Sequence, residues 1–150
     1  MTPELETKLV EKYPKIFKMV GSKPEESCMA WGLAVGDGWY WLIDRLCDEL
    51  QNDIHANGQN QVVAAQVKEK FGGLRFYIND GVNGGTERQH GAINFAENLS
   101  YYICETCGTT ENVTTAGPGW IKSLCHPCRE KHNEQMEERL KTLKKHIGDE

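Results

Sequence analysis

The sequence has no long apolar run and no excess of basic residues. No stretch approaches the roughly 18 consecutive apolar residues of a membrane-spanning helix. Residues 1–8 contain no basic region followed by an apolar one, which a secretory signal would show. Lysine and arginine number 17 against 22 aspartates and glutamates, a formal net charge of −5. We therefore expect a cytoplasmic protein without a membrane span, and the acidic balance disfavours a protein that coats nucleic acid.

Catalytic motifs are also lacking. None of the five histidines falls in a recognisable catalytic motif. The glycine-rich segment 81–91 has neither the Gly-Lys-Ser/Thr ending nor the G-x-G-x-x-G spacing of a nucleotide-binding loop. We interpret this segment as a surface loop and favour a non-enzymatic function, with no catalytic residues assigned.

Apolar periodicity predicts an α+β fold. Residues 2–12, 38–56 and 92–103 have helical spacing, with Asp37 as the expected N-cap of the second helix. Residues 61–80 alternate apolar and polar side chains around Gly72-Gly73, which indicates a β-hairpin. We expect a small antiparallel sheet or hairpin packed on helices, with a four-cysteine zinc ribbon and a C-terminal helix.

We divide the chain into three segments that form one compact unit. Residues 1–103 make the α+β body, residues 104–128 the zinc-ribbon module and residues 129–150 a charged C-terminal helix. A chain of 150 residues, 39% hydrophobic, is long enough to bury a substantial core.

Four of the six cysteines form two C-x-x-C pairs, Cys104 with Cys107 and Cys125 with Cys128, and 17 residues separate the pairs. This spacing is typical of a four-thiolate zinc site, with the insertion returning as a β-hairpin. Four protein ligands leave no open position, so we predict one structural Zn²⁺ per chain. The alternative is two redox-active cysteine pairs. Of the other two cysteines, Cys47 is expected to be a small buried hydrophobe.

A nuclease and a nucleic-acid-binding protein are alternative interpretations of the cysteine module. Residues 124–128, with 131–133, resemble the last zinc knuckle of HNH endonucleases, but residues 108–124 lack the histidine that would act as general base. An HNH-like nuclease relic or another hydrolase is therefore a weaker hypothesis. Sequence-specific nucleic-acid binding would need a basic cluster, for which Lys122, Arg129 and Lys131 are the candidates.

Cationic and aromatic residues mark a candidate ligand-binding surface. Arg75 and Tyr77 fall on one face of the second hairpin strand, where they suit a phosphate or carboxylate and a stacked ring. The alternative is an exposed sheet face on which Arg75 pairs with Glu69. Three further residues complete the candidate set: Lys70, Trp39 and Trp120. We also expect Trp120 to cover the cysteine cluster, and we expect Trp39 to pack in the core if it binds no ligand.

The C-terminal helix carries a narrow apolar seam. Its members step by four, three and four residues: Met136, Leu140, Leu143 and Ile147. Glutamates 134, 137 and 138 precede lysines 141, 144 and 145, an order that also favours the helix itself. The seam can pack on the body or on a second copy of the chain, and we favour a solvated charged helix over a homodimer.

Several of these motifs together resemble a family of small uncharacterised proteins of tailed phages and prophages. The resemblance covers residues 36–128 and rests on the segments 36–39, 68–77 (KEKFGGLRFY), 96–100, 104–108, 119–121 and 124–125. The family has no established activity. The resemblance implies a phage accessory protein, cytoplasmic in the bacterial host. We expect it to bind a host protein or to sequester a small anionic, nucleotide-like ligand, with counter-defence as one such role.

Overall fold

The computed structural model describes residues 1–79 and 84–147, with only the backbone of residues 146 and 147. Within these residues the fold is α+β, as predicted, with four α-helices and two antiparallel hairpins. Short 3₁₀ turns cover Cys28–Trp31 and Asp37–Trp39. The elements in chain order are α1 (Pro3–Lys12), α2 (Tyr40–Asn57), β1 (Ala64–Lys70), β2 (Gly73–Ile78), α3 (Glu87–Ser100), β3 (Val113–Ala116), β4 (Lys122–Cys125) and α4 (His126–Ile147).

The start of α2 differs from the prediction. Residues 37–39 form a 3₁₀ turn, so the α-helix begins at Tyr40 and Asp37 is not its N-cap. The Asp37 carboxylate instead accepts a hydrogen bond of 2.7 Å from the backbone N–H of Thr2, at the start of α1. The C-terminal end of α2 lies one residue beyond the predicted end, and Gly58 follows it in the left-handed conformation with φ +61°.

Strands β1 and β2 form the central hairpin, and each outer edge has hydrogen-bonding partners. Ala34 pairs with the outer edge of β1 through its backbone. On β2, the backbone N–H of Leu74 donates to Ser100 Oγ and that of Phe76 donates to Glu97 Oε1, both on α3. Neighbouring elements therefore cover both edges of the hairpin, so its backbone groups are not free to pair with a strand of another chain.

The core lies between the helices and one face of this hairpin. Its largest fully buried side chains include Trp39, Phe17 and Phe76, and the Phe17 and Phe76 rings meet edge-on. Cys47 is buried among them, as expected, and burial raises the pKa of its thiol well above the ordinary value.

Helix α3 begins earlier than its apolar spacing indicates. Thr86 and Gln89 form a reciprocal capping box, so the helix starts at Glu87 and the last five residues of the expected loop 81–91 are helical. Residues 81–83 of that loop lie outside the described residues. No helix among the described residues is long and apolar enough to cross a membrane.

Candidate metal centre and aromatic patch

The four predicted cysteine ligands converge on one point. The Sγ atoms of Cys104, Cys107, Cys125 and Cys128 all lie within 4.8 Å of one another, and the Cys107 and Cys125 sulfurs are 3.7 Å apart. A tetrahedral zinc site with Zn–S bonds of about 2.3 Å has sulfurs about 3.8 Å apart. All six cysteines are free of disulfides. The two C-x-x-C pairs therefore form a single cluster able to hold a metal ion, rather than two separate redox pairs.

Local structure brings the sulfurs together. The first pair lies on a tight turn after α3, where the N–H of Gly108 donates to the carbonyl of Cys104 and Gly108 has φ +79°. Cys125 ends strand β4, and Cys128 lies in the first turn of α4. The 17-residue insertion returns as the β3–β4 hairpin, as predicted.

Cys104 and Cys128 differ in the pKa of their thiols. Burial opposes ionisation of Cys104, but the backbone N–H groups of Cys125, Cys107 and Thr106 outweigh it and lower the pKa of this thiol to about 7. Burial and the neighbouring cysteines raise the pKa of Cys128 above the ordinary value of a thiol. A cation at the centre would stabilise all four thiolates together, because like-charged sulfurs repel one another without it.

The turn that carries Cys104 and Cys107, the knuckle, docks on residues 36–38. The N–H of Gly38 donates to the carbonyl of Glu105 at 2.8 Å, and the N–H of Gly36 donates to Glu105 Oε1 at 3.1 Å. A Cβ on Gly38 would lie 2.0 Å from the carbonyl oxygen of Cys104. Only glycine permits this approach, so the Gly-Asp-Gly sequence is a docking surface for the knuckle.

The prediction that Trp39 contributes to ligand binding is wrong. Its side chain has no exposed surface, and its indole N–H donates to the carbonyl of Ile103 at 2.9 Å. Trp39 therefore belongs to the core and anchors the chain segment that leads into the metal cluster.

The basic cluster expected for nucleic-acid binding is not assembled. Lys122 is held between two carboxylates, with Nζ 2.8 Å from Glu105 Oε2 and 3.6 Å from Glu69 Oε2. The Arg129 guanidinium donates to three backbone carbonyls of the β3–β4 hairpin. Of the three candidates, only Lys131 remains exposed. Two of the three cations thus serve the fold.

Arg75 and Tyr77 lie on one strand, but the Arg75 side chain is already engaged. Its guanidinium donates to the hydroxyl of Tyr101 at 3.1 Å and to the carbonyl of Leu74 at 2.7 Å. Lys68 lies directly opposite Arg75 in the hairpin register. The alternative pairing of Arg75 with Glu69 is wrong, because Glu69 faces Leu74 and accepts a hydrogen bond from the N–H of Gly72 at 2.7 Å.

The tips of the two hairpins meet in an exposed aromatic patch, which consists of Lys70, Phe71, Trp120 and Ile121. These side chains line a shallow cavity of about 300 Å³. Phe71 is 65% exposed and Trp120 63% exposed. The expectation that Trp120 covers the cysteines is wrong, because it lies in the β3–β4 loop, at the opposite end of that hairpin from Cys125.

The aromatic patch unites two predicted binding residues, Lys70 and Trp120, with Phe71, which the sequence analysis missed. The turn uses Phe71 and Gly72, with φ +52° and +80°, rather than the predicted Gly72 and Gly73. The sequence contains a signal for this role of Phe71. A bulky residue stands directly before the first of two glycines, where hairpin turns favour Asn, Asp or Gly.

No family model matches the chain, and no curated protein or solved structure matches it. The resemblance to tailed-phage proteins therefore stays a prediction.

Proposed function

We propose that this chain is a zinc-stabilised, non-catalytic protein that binds a partner protein through the aromatic patch. The cysteine cluster supplies four thiolate ligands of the number and spacing that zinc prefers. These ligands complete a tetrahedron and leave no position for a reacting water or substrate. A structural ion at this point would hold β4 and α4 to the knuckle, and through β4 it would hold the loop that carries Trp120.

The conformation of Phe71 is the observation that carries the binding proposal. A φ of +52° costs a residue with a Cβ about 1–2 kcal/mol relative to the right-handed region. Its ring is 65% exposed and regains little of this cost by burial. Folding stability therefore does not explain a phenylalanine here, and strain of this kind concentrates at functional positions.

The patch is held in place before any partner arrives. Glu69 accepts a hydrogen bond from the N–H of Gly72, and Ser123 Oγ donates to the Gly72 carbonyl at 2.6 Å. The first bond fixes the turn of the first hairpin internally, and the second joins this turn to strand β4 of the second hairpin. Preorganised aromatic side chains are characteristic of the residues that dominate protein interfaces.

The chemistry of the patch favours an apolar partner surface with acidic residues near it. The Lys70 ammonium lies 5.4 Å from the centre of the Phe71 ring and adds positive charge beside the aromatic groups. In the phage setting that the resemblance implies, such a partner would be a host protein.

Binding of a small nucleotide-like anion has weaker support. The opposed Lys68 and Arg75 side chains are a like-charge pair that an anion would relieve. The Arg75 guanidinium, however, already donates to Tyr101 and to the backbone of its own strand. Among the described residues, no hydrogen bond engages the side chains of the aromatic patch, and Phe71 and Trp120 are exposed. We therefore favour the protein partner.

The variant Phe71→Asn distinguishes an effect on folding stability from an effect on partner binding. The variant places Asn-Gly at the turn, the pair best suited to positive φ at both positions. We expect the free energy of unfolding in urea to rise by about 1 kcal/mol, because the strain of Phe71 is relieved. We expect capture of the partner from a bacterial lysate by the immobilised chain, measured by quantitative mass spectrometry, to be lost.

Trp120→Ala should lose the same partner, whereas Phe95→Ala should retain it. Phe95 is 70% exposed on α3, away from the patch, and so controls for general loss of an exposed aromatic ring. The captured protein is then purified and titrated against all four chains by calorimetry. A partner that binds Phe71→Asn as tightly as the unmodified chain would refute the proposal.

A further inference from the structure

We infer that helix α4 pairs antiparallel with α4 of a second copy of this chain. From Glu137 onward, every side chain described on this helix is exposed. Leu140 is 52% exposed and Leu143 58% exposed. The helix has 22 residues and is therefore about 33 Å long, so its second half extends beyond the packing that its first turns make with β4.

A helix in this position lacks its usual source of stability. Short helices are marginal in water, and most helical stability in proteins comes from packing an apolar face. The described members of that face are Met136, Leu140 and Leu143, which step by four and three residues along one side of α4. This spacing is the narrow seam that suits a second helix rather than a broad globular surface.

The charges on α4 identify the second helix as a copy of itself. Glutamates 134, 137 and 138 lie N-terminal to Leu140 along the helix, and lysines 141, 144 and 145 lie C-terminal to it. Among the described residues of α4, the one acid–base contact within 4.0 Å joins His126 and Glu130, so these six charges have no ion-pair partner among the residues that the structure describes.

Antiparallel pairing about a twofold axis near Leu140 would satisfy both sets of charges. The three glutamates of each helix would face the three lysines of the other, and Met136 of one copy would approach Leu143 of its twin. Parallel pairing would instead place like charges together, which destabilises an interface. A self-complementary surface of this kind is what a closed symmetric dimer requires.

Two charge-reversed variants test the arrangement in the zinc-loaded full chain. The first is K141E/K144E/K145E, and the second is E134K/E137K/E138K. We expect the unmodified chain to sediment as a dimer. Each variant should sediment as a monomer by itself, because its substituted and unsubstituted charge clusters, 134–138 and 141–145, then carry the same sign. An equimolar mixture should sediment as a heterodimer.

A second pair of variants tests the apolar seam. The double substitution Leu140→Asp with Leu143→Asp should abolish the dimer, whereas Phe95→Asp, on an exposed position of α3, should leave it intact. Circular dichroism of each variant confirms that the fold persists. A monomeric unmodified chain, or a dimer that survives both the charge reversal and the leucine substitutions, would overturn the inference.

Orientation is tested by disulfide crosslinking in a Cys28→Ser background. Leu140→Cys lies near the proposed axis and should crosslink to its twin. Asn133→Cys occupies the equivalent position one heptad earlier and should not, because antiparallel pairing places its two copies about 20 Å apart. Crosslinking of both variants would indicate a parallel pair and contradict the antiparallel arrangement.

Discussion

At the scale of single residues, the close approach of the knuckle to Gly36 and Gly38 determines which substitutions are tolerated at these two positions. A Cβ on Gly36 would lie 2.3 Å from the carbonyl oxygen of Glu105. A Cβ on Gly38 would lie 2.0 Å from the carbonyl oxygen of Cys104 and 2.6 Å from the backbone N of Gly108. These atoms belong to backbone, so a methyl group could not be accommodated by a side-chain rotation.

Gly38→Ala should therefore lower the free energy of unfolding by about 1–3 kcal/mol, the usual cost of forcing a group into packed structure. It should also weaken zinc retention, because Cys104 and Gly108 must shift. Urea unfolding and zinc release to a chelator measure the two effects. Gly91→Ala is the matched control: nothing lies within 4 Å of that position, and alanine should stabilise α3 by about 0.5–1 kcal/mol. Equal behaviour of the two variants would contradict the close approach at Gly38.

The residues that sequence reasoning placed correctly depend on neighbours close along the chain. The cysteine ligands follow from their spacing, and the first hairpin follows from alternation around glycine. The role of Trp39 does not, because its partner, the carbonyl of Ile103, reaches it only through tertiary packing. Periodicity shows that an aromatic residue lies on a given face, but it does not show which distant segment covers that face. The same limit applies to Gly38 and to Lys122.

At the scale of elements, Asp44 fastens α1 to α2. Its side chain is buried and accepts hydrogen bonds from Lys12 Nζ at 2.7 Å and from the Tyr13 hydroxyl at 3.0 Å. Arg45 donates to the second carboxylate oxygen. Burial opposes ionisation of Asp44, but the bonds from Lys12, Arg45 and Tyr13 outweigh it and lower the pKa of the carboxyl below the ordinary 3.8.

This arrangement predicts acid sensitivity of the contact between α1 and α2. Because the folded pKa of Asp44 lies below the unfolded value, its contribution is present above pH 3.8 and is lost as the pH falls through the folded value. Asp44→Asn should lower the free energy of unfolding at pH 7 by about 1.5–3 kcal/mol, the contribution of a charged hydrogen bond. The difference from the unmodified chain should shrink below pH 3.8.

Urea unfolding at several pH values measures the effect. Asp48→Asn is the control, since Asp48 is 3.5 Å from Arg45 and its side chain is 42% exposed, so its loss should change stability by less than about 0.5 kcal/mol. A difference between Asp44→Asn and the unmodified chain that stays constant from pH 7 to pH 3 would contradict the assignment.

At the scale of the whole molecule, the two hairpins depend on each other but differ in what stabilises them. The α+β body has an extensive buried core around Trp39 and Phe76. The apolar cluster of the cysteine module contains, among the described residues, Leu124 with Cys104 and Cys125, and Val113 and Cys128 pack partly against them. So small an apolar cluster cannot offset the entropy of ordering the module, and a metal ion would supply the missing free energy.

Removal of the metal should therefore unfold one part of the molecule before the other. We expect native mass spectrometry to find one zinc ion per chain. A chelator should abolish the structure of β3, β4 and the first turns of α4, while the body remains folded with a lower melting temperature, because Gly36 and Gly38 lose the docked knuckle. Circular dichroism should then show less ordered structure before heating, and on heating a single transition of the body at a lower temperature than that of the zinc-bound chain.

Cys128→Ser should reproduce this behaviour, because it removes a ligand that holds α4 to the centre. Cys28→Ser is the control and should leave melting unchanged, because Cys28 is an exposed thiol outside the cluster.

Thiolate ligands must be deprotonated to bind the metal, so zinc affinity should fall as the pH is lowered. A chain that carries no zinc, with a mass reduced by paired hydrogen losses, would show that disulfides replace the metal. A metal-bound chain whose melting is unchanged by the chelator would show that the body supports the cysteine module without help.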